Sequence, residues 1–216
     1  LNVQVAYGAH STSCYTARRM TPYFIGLTGY SGAGKSTIAE YLQSLGGVAA
    51  FPIDSFYKDE EECPRVEGRA HWDLPESLHL DRLYEALVEL KTGEDVEIPV
   101  YEKKVNRAVG TRGFRPQPVI LVEGLMLFSD ERIRNLMDLR LWMDVPKEVA
   151  LARKWQREPE RFDRAYYDRF ALPAIERYVD PTKVYAHYLI DGTQRVHEIA
   201  SAMERVIQEA LIDKKA

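Results

Sequence analysis

The sequence predicts an α/β fold with a mostly parallel sheet, and three observations indicate it. From residue 23 onward, short apolar runs alternate with longer stretches whose apolar residues recur at helical spacing. The runs at residues 23–28 and 119–122 are almost wholly apolar, as strands buried on both faces usually are. The chain has 216 residues, of which 45% are hydrophobic, enough for one core. We therefore expect a domain in which helices connect parallel strands.

The first predicted elements are a strand at residues 23–28 and a helix at residues 35–45, whose apolar residues share one face. Residues 48–53 predict a second strand. Pro52 places that strand near an edge of the sheet or ends it early, because proline has no N–H to donate to a neighbouring strand. Residues 58–70 are polar and acidic, which predicts a surface loop.

The later elements follow from the same patterns. Leucines recur at helical spacing over residues 80–90, which predicts a helix. Residues 98–115 predict a β-hairpin arm, because an extended segment is followed by a stretch punctuated by glycine. Residues 119–122, 139–143 and 188–190 predict three more strands. A closing helix is indicated by an apolar stripe, which we interpret as core packing, at Ile199, Met203, Val206, Ile207 and Leu211.

Composition argues against several classes of protein. The formal net charge of -4 does not suit a nucleic-acid binder. The sequence contains no apolar run long enough for a membrane span. Cys14 and Cys63 are too few for a disulfide scaffold or a four-cysteine zinc site. We therefore expect a cytoplasmic protein whose partner is a small molecule, and the sequence leaves a homo-oligomer open.

Residues 1–19 mix small polar residues with Arg18 and Arg19 and lack the apolar core of a secretory signal. Met20 stands just before the first predicted strand. We interpret residues 1–19 as a flexible extension and residues 20–216 as the folded domain.

Residues 29–36 match the phosphate-binding pattern G-x-x-x-x-G-K-[ST] at every position. Glycines let backbone N–H groups surround phosphate oxygens, and the following helix directs its positive end at the same anion. A lysine between the β- and γ-phosphates and a hydroxyl for Mg²⁺ complete the loop. The pattern predicts a P-loop NTPase fold of three layers that binds ATP and Mg²⁺. The predicted nucleotide-binding residues are Gly29, Ser31, Gly32, Ala33, Gly34, Lys35, Ser36 and Thr37.

Two carboxylates follow predicted strands and are candidates for the chemistry. Glu123 comes directly after the apolar strand at residues 119–122, and Asp54 comes after the strand at residues 48–53. Open α/β sheets bind ligands at the carboxyl ends of their strands. Glu123 could hold Mg²⁺ there, and Asp54 could orient or deprotonate an acceptor hydroxyl. A strand-end acid facing solvent, or a turn or cap residue, is the alternative for each.

Residues 153–166 are rich in cations and predict a lid over the γ-phosphate. Arg153 and Arg157 lie one helical turn apart on one face, and Pro159 interrupts the helix after them. Arginine-rich lids neutralise charge and exclude water during phosphoryl transfer. A solvated helix face is the alternative. A GTPase would need an N-K-x-D run to read guanine, and the sequence has none.

The chain from about residue 20 to residue 211 resembles the uridine kinase and phosphoribulokinase branch of the P-loop kinases. Several motifs carry the resemblance in the same order and at similar spacing: residues 29–37, 54–57 (DSFY), 72–77 (WDLPES), 98–101 (IPVY), 122–125 (VEGL) and 181–186 (PTKVYA).

The resemblance implies roles for individual residues. Asp54 would be the catalytic base and a member of the metal shell, and Glu123 its partner at Mg²⁺. Asp73 would accept hydrogen bonds from the ribose diol, since its two oxygens match two vicinal hydroxyls. The walls of the acceptor pocket would be Tyr57, Trp72 and Tyr101.

The sequence departs from the uridine kinase pattern where the base would be read. Those kinases carry a Y-D-F segment followed by a histidine, whereas this chain has Lys103 in place of the phenylalanine and no histidine. Ala150 stands where an arginine of the lid helix is expected. Residues 145–157 and 189–193 are similar to nicotinamide riboside kinases.

We expect an ATP-dependent kinase that phosphorylates the 5′-hydroxyl of a ribonucleoside, uridine or cytidine first. Lys35, Arg153 and Arg157 would stabilise the charge on the transferring group. Ser36, Asp54 and Glu123 would support the metal. The alternatives are a kinase for nicotinamide riboside, a sugar phosphate or another small alcohol, and a regulatory protein that binds ATP without an acceptor.

Overall fold

The computed structural model describes residues 21–161 and 163–213, so the predicted extension at residues 1–19 lies outside the described residues. Its strands are β1 Tyr23–Thr28, β2 Ala49–Pro52, β3 Arg65–Val66, β4 Arg69–Ala70, β5 Val96–Glu102, β6 Arg107–Phe114, β7 Val119–Glu123, β8 Leu139–Asp144 and β9 Tyr188–Asp191. Its α-helices are α1 Lys35–Ser44, α2 Leu80–Lys91, α3 Glu131–Leu136, α4 Lys147–Arg157, α5 Arg164–Tyr166, α6 Leu172–Tyr178 and α7 Val196–Asp213.

Shorter helical turns connect these elements. The 3₁₀ turns are Ile53–Phe56, Pro75–Ser77, Pro159–Arg161 and Asp180–Tyr185. A π-helical segment, Tyr167–Ala171, joins α5 to α6.

The central sheet has five strands in the order β2-β7-β1-β8-β9, and all of their pairings are parallel. Adjacent strands are therefore linked by crossovers, which confirms the predicted α/β class. The crossover from β1 to β2 contains α1, and the phosphate loop lies between β1 and α1. β2 is an edge strand, as Pro52 predicts, since an edge position leaves the missing N–H without a cost.

Two apolar layers cover the two faces of the sheet. Successive side chains of β1 alternate between them: Phe24 packs with the layer that contains α2, and Ile25 with the layer that contains α1 and α7. This alternation is the period of two that a strand imposes. Together with the helices on both faces, it gives the expected three-layer architecture.

The predicted hairpin arm is formed by β5 and β6, which pair antiparallel from Val96 opposite Phe114 to Glu102 opposite Arg107. The register shifts between Pro99 and Tyr101, because proline cannot donate to the ladder. At the base of the arm, the Phe114 ring packs edge to face against the Phe51 ring of β2, with the ring centroids 5.1 Å apart. The arm is thus anchored to the core by aromatic packing.

The structure differs from the sequence prediction at residues 58–70, where we expected only a loop. β3 and β4 form a small antiparallel hairpin there. Its turn is made by Glu67 (φ 50°) and Gly68 (φ 79°), both in the left-handed region. Strands of two residues are too short to show a periodic pattern, so the sequence does not reveal them.

α3 is also absent from the sequence prediction, for the same reason of length. Asp130 caps it, and the Asp130 side chain accepts hydrogen bonds from the backbone N–H groups of Arg132 and Ile133. Among the helices of residues 21–161 and 163–213, none has both the length and the apolar character needed to cross a bilayer.

Candidate active site

The phosphate loop adopts the backbone that its glycines permit. Gly34 has φ 100° and directly precedes α1. Gly34, Lys35 and Ser36 line a cavity that we call the main cavity, because most of the predicted site residues line it. The Lys35 side chain is buried, and its Nζ donates to the carbonyls of Gly29 at 2.9 Å and Tyr30 at 3.0 Å. The Lys35 side chain therefore packs against the backbone of its own loop.

The lid helix α4 packs directly on this loop at Gly32. A Cβ added to Gly32 would lie 2.1 Å from the Ala150 carbonyl oxygen and 3.1 Å from the Lys154 backbone nitrogen. Only a glycine allows so close an approach, and its φ of 88° also favours glycine. The loop and the lid are therefore in van der Waals contact.

Ser36 and Glu123 come together beside the loop. Ser36 Oγ donates to Glu123 Oε1 at 3.0 Å. Glu123 ends strand β7, where it pairs with Leu27 of β1 and Pro52 of β2, and it is only 5% exposed. These two oxygen donors lie where the carboxyl ends of parallel strands meet.

Lys35 and Glu123 are buried charges of opposite sign. Burial raises the pKa of Glu123, and the Lys35 charge opposes that rise. Burial lowers the pKa of Lys35, and the charges of Glu123 and Asp54 oppose that fall. The charge of each group therefore offsets part of the cost of burying the other.

The oxygens of Ser36, Glu123 and Asp54 are of the type that Mg²⁺ prefers. Within the described ranges, no group of three His, Cys, Asp or Glu side chains forms a metal cluster. Mg²⁺ usually keeps several waters and binds one or two carboxylates together with phosphate oxygens. A hydroxyl and two carboxylates beside a phosphate loop are compatible with that mode.

Part of the wall of the main cavity is aromatic. The rings of Tyr57, Trp72 and Tyr101 contact one another, with centroids 5.9 to 6.4 Å apart. Asp73 is 8% exposed and also lines the cavity, which has a volume of about 270 Å³. Every residue predicted for the acceptor pocket thus lines one cavity together with the phosphate loop. Of the predicted loop residues, those lining the cavity are Ser31, Gly32, Gly34, Lys35, Ser36 and Thr37.

The two predicted lid arginines separate in the structure. Arg157 lines the cavity, and its Nε donates to Glu158 Oε1 at 3.0 Å. Arg153 does not line it, because its Nη1 donates to the Gly192 carbonyl at 2.8 Å. Lys154 lines the cavity instead. The structure therefore places Arg153 away from the predicted reacting centre, and its side chain joins α4 to the segment after β9.

The small hairpin β3–β4 contacts the lid. Arg69 Nη1 donates to Asp163 Oδ2 at 2.7 Å, and Asp163 caps α5 by accepting from the Tyr166 N–H. The Tyr166 hydroxyl lies 3.0 Å from Nδ1 of His71, which is buried. The segment that leads into Trp72 and Asp73 is thereby joined to the lid.

Sequence reasoning missed several cavity residues. Lys103 Nζ donates to Asp54 Oδ2 at 2.9 Å from the turn of the arm. The other lining residues that we did not predict include Asn106, Glu158, Tyr166 and Tyr167. The signal for Lys103 is its departure from the Y-D-F pattern, but local sequence alone cannot place one turn residue against another that is distant in the chain.

A second cavity lies on the other side of the phosphate loop, beside the start of α4. Its walls come from Tyr30 of the loop, the β8–α4 connection and the turn after β9. The Tyr30 hydroxyl donates to Asp180 Oδ1 at 2.8 Å, and Lys147 Nζ donates to Asp180 Oδ2 at 2.6 Å. These bonds orient Tyr30 at the edge of that cavity.

Comparisons with known proteins agree with this geometry. The sequence profile described as "Phosphoribulokinase / Uridine kinase family" matches residues 24–199. A uridine kinase of Latilactobacillus sakei is 30% identical over 193 residues, which cover 84% of this chain and 92% of that protein. A uridine kinase of Streptococcus agalactiae is 33% identical over 183 residues, covering 80% and 88%.

Solved structures show the same fold. One titled as a possible uridine kinase from Bacillus stearothermophilus has a TM-score of 0.57 at 18% identity and covers 82% of this chain and 92% of that chain. Shikimate kinase from Acinetobacter baumannii has a TM-score of 0.51 at 18% identity, covering 90% and 96%.

Proposed function

Because this chain belongs to the phosphoribulokinase / uridine kinase family, we propose that it is an ATP-dependent kinase that phosphorylates the 5′-hydroxyl of a ribonucleoside, uridine or cytidine first. The similarity to two uridine kinases, which covers 80% or more of this chain, supports the acceptor class. One observation carries the proposal: a single cavity is lined by the phosphate loop, by Asp54 and Asp73 and by three aromatic rings.

The phosphates of ATP would lie against residues 29–37, with Lys35 on the β- and γ-phosphate oxygens. In this proposal Lys35 leaves the Gly29 and Tyr30 carbonyls for the stronger charge-assisted contacts with phosphate. The second cavity beside Tyr30 is our candidate for the adenine, because it adjoins the same loop and has an aromatic wall.

Ser36, Glu123 and Asp54 would hold Mg²⁺. The ion would neutralise phosphate charge together with Lys35 and the cations of α4. Arg157 and Lys154 line the cavity from α4 and would stabilise the charge on the transferring group. Their helix already packs on the loop at Gly32, so the lid also excludes water from that side.

Asp54 would accept the proton of the acceptor hydroxyl. The acceptor oxygen forms a bond to the γ-phosphorus, and the bond between that phosphorus and the oxygen of ADP breaks. The proton goes to the Asp54 carboxylate. Asp73 would accept hydrogen bonds from the ribose diol and so hold the 5′-hydroxyl in line.

The acceptor base is the least constrained part of the substrate. Three mutually contacting rings would stack on any flat base, whether uracil, cytosine or nicotinamide. A positively charged nicotinamide ring would gain a cation–π contribution from the same rings, so nicotinamide riboside is the second candidate acceptor.

A panel of acceptors with an ADP-release readout tests the function. We expect uridine or cytidine to stimulate ADP release strongly, and nicotinamide riboside, a sugar phosphate and pantothenate to do so less. ATP turnover that no small alcohol stimulates would contradict the proposal and favour a regulatory ATP-binding protein.

Asp54→Asn tests the assigned base in the same assay. The amide cannot accept the proton as the carboxylate does, so we expect kcat to fall by about 10²-fold or more while ATP affinity stays within about threefold. Nucleotide affinity is measured by calorimetry with a non-hydrolysable ATP analogue. Near-normal turnover of this variant would remove Asp54 from the base role.

A further inference from the structure

Lys103 brings a further lysine to the main cavity, beside Asp54. It lies in the turn between β5 and β6, and its Nζ is 2.9 Å from Asp54 Oδ2. The Lys103 side chain is 53% exposed and the Asp54 side chain 35%. Both line the main cavity, so the pair lies at its rim. Exposed ion pairs contribute little to stability, so a stabilising role does not account for this contact.

The arm tip that carries Lys103 is held by the acidic segment after Asp54. The Ala108 N–H donates to Asp59 Oδ1 at 2.8 Å. Asn106 Nδ2 donates to Glu60 Oε2 at 2.8 Å, and the Glu60 N–H donates back to the Asn106 carbonyl at 3.0 Å. We call residues 59–60 with residues 106–108 the arm clamp. The turn is also shaped by Asn106, whose φ is 51°.

The arm clamp links the turn that carries Lys103 to the segment that carries Asp54. Asp54 is in the 3₁₀ turn Ile53–Phe56, and the clamp acids follow that turn within a few residues. The opposite half of the clamp lies just after Lys103. Because both halves are adjacent to the pair, the hydrogen bonds between them restrict the distance between Lys103 and Asp54.

We propose that Lys103 is a positioning residue that holds Asp54 Oδ2, leaving Oδ1 to accept the acceptor proton, and that the arm clamp fixes Lys103 for this task. The inference rests on the proposed kinase function. The step itself is unchanged: the acceptor oxygen bonds to the γ-phosphorus, ADP leaves with its oxygen, and the proton passes to Oδ1. A charge-assisted hydrogen bond orients a carboxylate more strictly than a neutral one.

The first test replaces Lys103 by methionine, which keeps the length of the side chain and removes the donor. We expect kcat to fall by about 10- to 100-fold, because misplacing a reacting group by about 1 Å has that effect. The KM values for ATP and for the acceptor stay within about threefold, since Lys103 touches neither in this proposal. Lys103→Arg, which restores a cationic donor, should recover most of kcat. Lys104→Met in the same turn is the matched control and should match the wild type.

The second test is a double-mutant cycle with Asp59→Ala. Removing this clamp acceptor should lower kcat by a smaller factor than Lys103→Met does. In the Lys103→Met background it should have no further effect, because the clamp acts through the lysine. If the two substitutions instead lower kcat by independent factors that multiply in the double variant, the proposed role of the arm clamp would be wrong.

Three outcomes would overturn the role of Lys103: a kcat of Lys103→Met within about threefold of the wild type, a loss confined to the KM for ATP, or no recovery with arginine. Thermal melts of every variant show whether each one is folded. A wild-type protein with no acceptor-dependent turnover would instead refute the proposed function. An active wild type with an unaffected Lys103→Met variant would refute this inference alone.

Discussion

At the scale of single residues, two of the predicted site carboxylates are distinguished by their burial. Glu123 and Asp73 are 5% and 8% exposed, whereas the Asp81 side chain on α2 is 82% exposed and pairs with Arg132. Burying a carboxylate costs free energy unless charges or hydrogen bonds compensate it. Glu123 has Lys35 and Ser36 beside it. Asp73 faces the cavity, where a ribose diol could compensate its burial.

Asp73→Ala should therefore affect the acceptor and not ATP. Each hydrogen bond to a charged group contributes about 1.5–3 kcal/mol, so losing even one should raise the KM for the acceptor by roughly 10- to 150-fold. The KM for ATP should stay within about twofold. Steady-state kinetics with each substrate varied in turn measures both constants. Asp81→Ala is the exposed control and should change neither; a larger effect on ATP than on the acceptor would move Asp73 out of the acceptor site.

At the scale of elements, two arginines on neighbouring turns of the lid helix α4 make different contacts. Arg157 faces the cavity, and Arg153 holds the segment after β9 through the Gly192 carbonyl. The spacing of four residues predicted one shared face for the two arginines. Helical spacing does not determine which partner a long side chain contacts, and Arg153 donates to a backbone carbonyl outside the cavity.

The two arginines form a natural pair of variants. Arg157→Ala should lower kcat by about 10²-fold, the typical effect of removing one donor to a developing charge. Arg153→Ala should leave kcat within about threefold and lower the free energy of unfolding by about 1 kcal/mol through the lost hydrogen bond. Turnover assays and urea melts separate the two effects. A larger loss of kcat in Arg153→Ala than in Arg157→Ala would restore the prediction made from spacing alone.

At the scale of the whole molecule, the site joins parts that are far apart in the chain. The residues that line the main cavity come from the phosphate loop, the strand ends, the arm and the lid. In the sequence they are spread between Ser31 and Ala171. A ligand that contacts several of these elements binds the folded state only, so it stabilises the whole fold by mass action.

MgATP should raise the melting temperature. At about 100 times its Kd, it adds roughly 2.7 kcal/mol, which corresponds to about 5–10 °C for a domain of this size. Differential scanning fluorimetry measures the shift. Asp54→Asn should retain it, since that variant keeps the phosphate loop. Lys35→Met should lose most of it, and a full shift in Lys35→Met would place the nucleotide elsewhere.

Much of the architecture follows from local pattern. The apolar runs of β1, β7 and β8 and the periodic helices α1, α2 and α7 are long enough to be recognised by period alone. The phosphate loop is recognised because its function requires the backbone that its glycines allow. The short β3–β4 hairpin and α3 could not be found in this way, because a few residues show no period.

What the sequence by itself determined is the fold class, the phosphate loop and the two strand-end carboxylates, since each depends on spacing along one or two consecutive elements. Only the tertiary structure decided that Lys103 contacts Asp54, that Arg153 leaves the cavity and that the acidic segment holds the arm. These contacts join residues about 40 to 50 positions apart, and the choice among competing partners depends on where the intervening elements pack.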